Sequence, residues 1–338
     1  MFRLRRATAA LVLVSLLGAC GQDFRTDVMT PVSDTTVHAA ADRLLGPPVL
    51  LDPTTVLYVA FDGDSSDVPQ STHVVNLADG TDRTLKFTSD HCPDAFLAWV
   101  SGFADGEPVG VAECGDMDTR ALVRIDPLGS RLTVLAELPP LLAFSPPSRG
   151  NTGVLVSRDP GQWTATCRAL KVFTAGNWAQ VGPLTPVGAL TWDADRLLGG
   201  EGFCQPHDNV LGIAATGTKV YVVATQNQQT CRPWDTPHDG SGSGCGVYEV
   251  DLAAQTIRQL ADGFDGFTEI SAAGPYGAVM SAVRDGQSGL WLVGGHDHTV
   301  TLLESGVFSG PSVTPSGDVV AAVGSDDEEC RIVKIKLP

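Results

Sequence analysis

The chain has 338 residues and carries 22 Lys and Arg against 39 Asp and Glu, a formal net charge of −17. A body this acidic lacks the clustered cations that neutralise phosphates, which excludes nucleic acid as a natural partner. Its 37 Gly and 22 Pro call for many turns, and the length suits one large β domain.

The first twenty residues read MFRLRRATAALVLVSLLGAC. Arg3, Arg5 and Arg6 precede a short apolar run, and small residues precede Cys20. That order is a secretion signal, too short and wrongly flanked for a membrane span. The tail Leu17-Gly18-Ala19-Cys20 resembles the lipobox of bacterial lipoproteins. The resemblance implies that residues 1–19 are removed and that the Cys20 sulfur carries the lipid (a palmitate-type acyl anchor). The mature chain would then sit extracytoplasmically, on the outer face of the cell membrane. Each buried CH₂ contributes about 0.8 kcal/mol, so one acyl chain holds marginally and two or three hold stably. Residues 20–48 show no sustained apolar period and read as lipidated cysteine and flexible tether.

Residues 49–338 read as one all-β domain. Short runs rich in Val, Leu, Tyr and Trp, such as Val56–Phe61 and Val220–Ala224, alternate with Asp-Gly, Ser-Gly and Pro-Ser-Gly turns. One β segment recurs as THVVNL (72–77), ALVRID (121–126), RALKVF (168–173), GVYEVD (246–251), GLWLVG (289–294) and RIVKIK (331–336). The copies step by about 49, 47, 78, 43 and 42 residues. Apart from the 78, that is the period of a four-stranded propeller blade. Small sheets with two apolar faces bury them by packing face to face around an axis, which predicts a six-bladed β-propeller. The long step is an insertion at about 186–210, or else a degenerate seventh blade. The last copy leaves no chain for its outermost strand, so a segment near Val28–Ser33 or Val49–Leu51 is expected to supply it.

The copy PSVTPSGDVVAAVGSDDEECRIVKIKL (311–337) resembles the repeat of TolB-like, WD40-like propellers. Pro315-Ser316-Gly317-Asp318 holds the turn, and Ser325-Asp326-Asp327 follows the β run. The Asp-Gly order is inverted at 317–318, and several copies lack the Ser-Pro. The resemblance implies the fold and carries no function, because the family's roles vary.

Seven cysteines follow Cys20, and in an oxidising compartment such residues pair. Cys231 and Cys245 flank a polar loop, and a bridge there would contribute up to roughly 3 kcal/mol. Cys92 with Cys114 and Cys167 with Cys204 are further candidates, which leaves Cys330 over. Ser157 to Trp163 comes close to the Asp-box of sialidase-type propellers, a structural turn. His296, Asp297 and His298 form a compact His/Asp trio, the weak metal candidate, and read more readily as a solvated hairpin tip. Asp193, Glu201, His207 and Asp208 cluster in the insertion and are the weak catalytic candidates, with Trp192, Phe203 and Trp234 as pocket walls. No G-x-S-x-G, Walker, H-E-x-x-H or strand–helix G-x-G-x-x-G signature occurs.

The expected function is a membrane-anchored extracytoplasmic binding module for a protein or cell-envelope polymer. It is read as a monomer, without a cofactor, and more readily non-enzymatic than enzymatic. The alternative is a propeller enzyme of glycan hydrolase, lyase or lactonase type with its site on the 186–210 insertion.

Overall fold

The computed structural model describes residues 26–28, 35–40, 43–62, 69–88, 95–104, 107–114, 120–138, 141–145, 153–157, 165–166, 170–173, 209–216, 219–225, 244–251, 253–254, 256–294, 299–306, 308–314, 316–324 and 330–337. They are almost entirely strand, with one 3-10 turn at Gly274–Tyr276. The strands in chain order are β1 (Thr26–Val28), β2 (Thr35–Ala40), β3 (Arg43–Leu45), β4 (Val49–Asp52), β5 (Thr55–Asp62), β6 (Pro69–Asn76) and β7 (Asp82–Leu85). Next come β8 (Ala95–Ala104), β9 (Glu107–Cys114), β10 (Arg120–Asp126), β11 (Arg131–Leu138), β12 (Leu141–Ser145), β13 (Gly153–Ser157), β14 (Ala165–Thr166) and β15 (Leu170–Phe173). The remainder are β16 (Asn209–Thr216), β17 (Lys219–Thr225), β18 (Cys245–Asp251), β19 (Thr256–Ala272), β20 (Gly277–Arg284), β21 (Gln287–Gly294), β22 (Val300–Ser305), β23 (Phe308–Val313), β24 (Asp318–Val323) and β25 (Cys330–Lys336).

Local sequence explains the meanders. The recurring β segment is the third strand of its unit every time, as β6, β10, β15, β18, β21 and β25. Three copies end on an Asx turn that sends the chain into the fourth strand. Asn76 Oδ1 accepts from the Ala78 N–H, Asp126 Oδ1 from the Leu128 and Gly129 N–H groups, and Asp251 Oδ1 from the Ala253 and Ala254 N–H groups. A short acceptor at that position satisfies turn donors that a strand could not.

The nine-stranded sheet, in order β1-β22-β21-β20-β19-β18-β17-β16-β14, is two antiparallel meanders sharing one long strand. The first part of β19 pairs with β18 and the second part with β20, and Phe264 faces both Cys245 and Arg284. Gly263, at φ 75°, makes the bend there, where a side chain would be strained. Phe264 at this corner is fully buried, with Trp291 edge-on to it at 6.3 Å and the indole N–H bonded to the Ala282 carbonyl at 3.1 Å.

The sheets pack in chain order. Leu57, Val59, Leu97, Ala112 and Val123 join β5 to β8–β10 in one core, while Val279, Leu290, Phe308, Val319 and Val333 join β20–β21 to β23–β25. Val56, Tyr58 and Val75 of the first sheet share a core with Val320, Ala322 and Ile332 of the last. The innermost strands follow the same order: β4 lies against β8, β8 against β12, β12 against β16, β16 against β19, β19 against β23, and β23 against β4.

The last sheet runs β2-β25-β24-β23, so an N-terminal strand does supply its outermost position. That strand is Thr35–Ala40, antiparallel to β25, and not Val28–Ser33 or Val49–Leu51. Val49–Asp52 instead pairs with β5 in the first sheet, and Thr26–Val28 lies parallel to β22. Three strands thus fall within the stretch 20–48 whose composition reads as tether. The partners of β1 and β2 are edges hundreds of residues away, which composition does not register, while β3 pairs with the nearby β5.

The cysteine framework is corrected. Among the described residues no bridge links two cysteines, so the expected disulfide framework is not found there. Cys92, Cys167, Cys204 and Cys231 lie outside the described residues, and at Cys114 only the backbone is described. Cys245 is itself disulfide-bonded, to a partner whose side chain is not among those described. Sequence spacing cannot test the Cα separation and Cβ direction that a bridge requires.

Candidate functional site

The residues singled out from sequence for chemistry fall outside the described residues: Asp193, Glu201, His207 and Asp208 of the insertion, Trp192, Phe203 and Trp234, the trio His296, Asp297 and His298, and Cys20. Among the described residues, no three His, Cys, Asp or Glu side chains assemble as a metal-ligand set.

The structure brings together a different constellation. Ser71 and His73 sit two residues apart on β6 and so share a face. Tyr58, opposite His73 on β5, shares it too, and this face is turned toward the last sheet. Asp82 starts β7, the outer neighbour of β6. The Ser71 hydroxyl lies 2.7 Å from His73 Nε2, and His73 Nδ1 lies 2.8 Å from Asp82 Oδ1. Tyr58 donates its phenolic proton to Asp82 Oδ2 at 3.1 Å, and its ring stacks on the imidazole at 5.0 Å and 11°. With a proton on Nδ1, His73 donates to Asp82 and accepts from Ser71. That order can draw the proton from a serine hydroxyl and hold the resulting imidazolium against a carboxylate. His73 is buried and Ser71 half-buried. The sequence signal was slight: Ser-x-His in one strand, with the carboxylate nine residues on and no motif around it.

A second feature lies where the inner strands β19 and β23 meet. Glu269 is half-buried there, with its side chain against the backbone of Gly310, in space that any larger residue at 310 would claim. Its cross-strand neighbour Ser281 is committed to the Phe308 carbonyl at 2.7 Å. Burial pushes the Glu269 carboxyl up to about 7, since no cation offsets the lost hydration. Glu249 is the contrast: it is buried but held by Lys219 and Arg258, each at 2.9 Å. Burial first, and then the Glu249 charge, raises the neighbouring Tyr221 phenol.

At the β20–β21 turn, Arg284 is 7 % exposed, and its guanidinium lies 5.3 Å from the centre of the Phe264 ring. Its Nη1 has no hydrogen-bond partner. Desolvation raises the nearby Asp262 carboxyl, with Arg284 opposing.

No protein-family model matches the chain, and no curated protein does. Among solved structures there is a distant, low-identity resemblance to β-propeller proteins. TolB from Acinetobacter baumannii is 13% identical with a TM-score of 0.48, over 84% of this chain and 64% of that one. YCF48, solved with a D1 peptide, is 10% identical at a TM-score of 0.47, over 93% and 98%. A prolyl endopeptidase is 14% identical at 0.45, over 88% of this chain and 47% of its own, so the chain spans about half of that enzyme's length.

Proposed function

We propose that the chain is an extracytoplasmic β-propeller of six blades, lipid-anchored through Cys20, and that it binds a protein or a cell-envelope polymer. The observation that supports the architecture is the run of inner-strand contacts from β4 through β8, β12, β16 and β19 to β23 and back to β4. Six inner strands, each with a recurrent third strand two places outward, correspond to six blades. β2 on β25 joins the two chain ends, and Lys334 Nζ donates to the Pro53 carbonyl at 3.3 Å across the same junction.

The anchor is tested by radiolabelled palmitate, which the full-length chain should incorporate and Cys20→Ser should not. Binding is tested by capture from envelope extract on the folded chain lacking residues 1–19, with a specific envelope component retained. Turnover of a defined substrate, lost on changing one or two residues, would overturn the binding reading.

The relay at Ser71 favours a second reading, an acyl-transfer enzyme. Ser71 Oγ would bond to an ester carbonyl carbon while its proton passes to His73 Nε2, and that proton would then leave with the alcohol. A fluorophosphonate probe should label the protein, and Ser71→Ala and His73→Ala should each abolish labelling. Absence of labelling in the parent chain would remove this reading.

A further inference from the structure

The N-terminal strand β1 sets which end of the domain the anchor pulls on. It pairs in parallel with β22, Thr26 opposite Val300 and Val28 opposite Leu302. In the same meander Val300 pairs with Val293, and Gly294 pairs with Gly277. Thr26 therefore lies at the end that carries Gly277, Gly294 and the Gly274–Tyr276 turn. The other end carries Arg284 paired with Gln287, and Ser305 paired with Gly289. The eight residues of β20 separate the two ends by roughly 25 Å.

Six peptide steps separate Cys20 from Thr26. Fully extended, they reach about 22 Å at most, whatever path they take. A lipid on Cys20 is thus on a leash shorter than the domain is tall, and β1 fixes its point of attachment at one end of β22.

We propose that the end bearing Gly277, Gly294 and Thr26 faces the bilayer, and that the end bearing the Arg284–Gln287 turn faces outward, where a ligand arrives. This rests on the lipid-anchor reading above. The third-to-fourth strand turns at this end carry both signs of charge, since Asp126 pairs with Arg131 and Asp251 with Lys219. The leash, and not adhesion, sets the orientation.

The experiment uses the full-length chain, processed by a lipoprotein-competent host and reconstituted in phosphatidylcholine vesicles. A fluorophore is coupled through an azide-bearing amino acid at Pro275, exposed at the membrane end, or at Gln287, exposed at the other. Short-range energy transfer to a headgroup acceptor should be severalfold greater from position 275. Equal transfer, or greater transfer from 287, overturns the orientation. Failure of the protein to float with vesicles overturns the anchor and the orientation together, and it is read before any transfer is measured. Twenty Gly/Ser residues inserted between Arg25 and Thr26 should erase the difference; a difference that persists would show that another surface sets the orientation and would overturn the short-leash account.

Discussion

Replacing Glu269 by Gln should make the protein more stable at high pH and leave it unchanged at low pH. The carboxyl moves from an ordinary value of 4.5 to about 7 because burial between β19 and β23 strips its hydration without a cation in return. The folded state therefore holds this proton more tightly than the unfolded chain. Its contribution is fully present below about 4.5, falls as pH rises toward 7, and is gone above that. A shift of this size, at about 1.4 kcal/mol per pH unit, corresponds to an upper bound of about 3 kcal/mol. Residual exposure of Glu269 brings the expectation to about 2 kcal/mol. Glutamine keeps the shape and never ionises, so the difference between the two proteins cancels every other titrating group. Urea denaturation of both at pH 5 and pH 8 is the assay. Glu269→Gln should exceed the parent only slightly at pH 5 and by about 2 kcal/mol at pH 8. The same difference at both pH values would refute the account of Glu269 as a desolvated, unpaired acid.

Three further outcomes are expected. Gly212→Ala on β16 places a Cβ 2.6 Å from Phe267 Cε1 and should cost about 1–3 kcal/mol in urea denaturation, because the ring rests on the bare backbone. Asp318→Ala should lower stability at pH 7 by about 1 kcal/mol. Desolvation pulls the Asp318 carboxyl up, but the Ser316 hydroxyl at 2.5 Å, with Lys334 and Lys336, holds it below its ordinary value. The parent's advantage should therefore be full above the ordinary carboxylate range and vanish as pH falls through the lowered value. A chain beginning at residue 41 lacks β2 and leaves the outer edge of β25 unpaired, so it should unfold at lower urea and self-associate with rising concentration in light scattering.

The third strands were legible because two local signals coincide there: an apolar run, and at Asn76, Asp126 and Asp251 a side-chain acceptor that ends it. The turn at Ser316–Asp318 was legible for the same reason, since Gly317 takes φ 80° and Asp318 gathers the Thr314 and Ser316 hydroxyls. β1, β2 and β3 were not legible. They are short, and β1 and β2 become strands because distant edges supply their hydrogen bonds. The relay was hidden too: Ser71 and His73 lie two residues apart in the chain, but Tyr58 and Asp82 join them only through the registers of β5 and β7.

What the sequence determined alone is local: which segments are strands with two apolar faces, where they turn, and that related β units recur along the chain. What only the tertiary structure decided is non-local. It placed β2 on β25, turned β19 from one sheet into the next at Phe264, and set Glu269 against Gly310. The division has one cause. Strand and turn preferences act over a few residues, whereas register, edge pairing and the loss of water around a carboxylate depend on which distant segment arrives alongside.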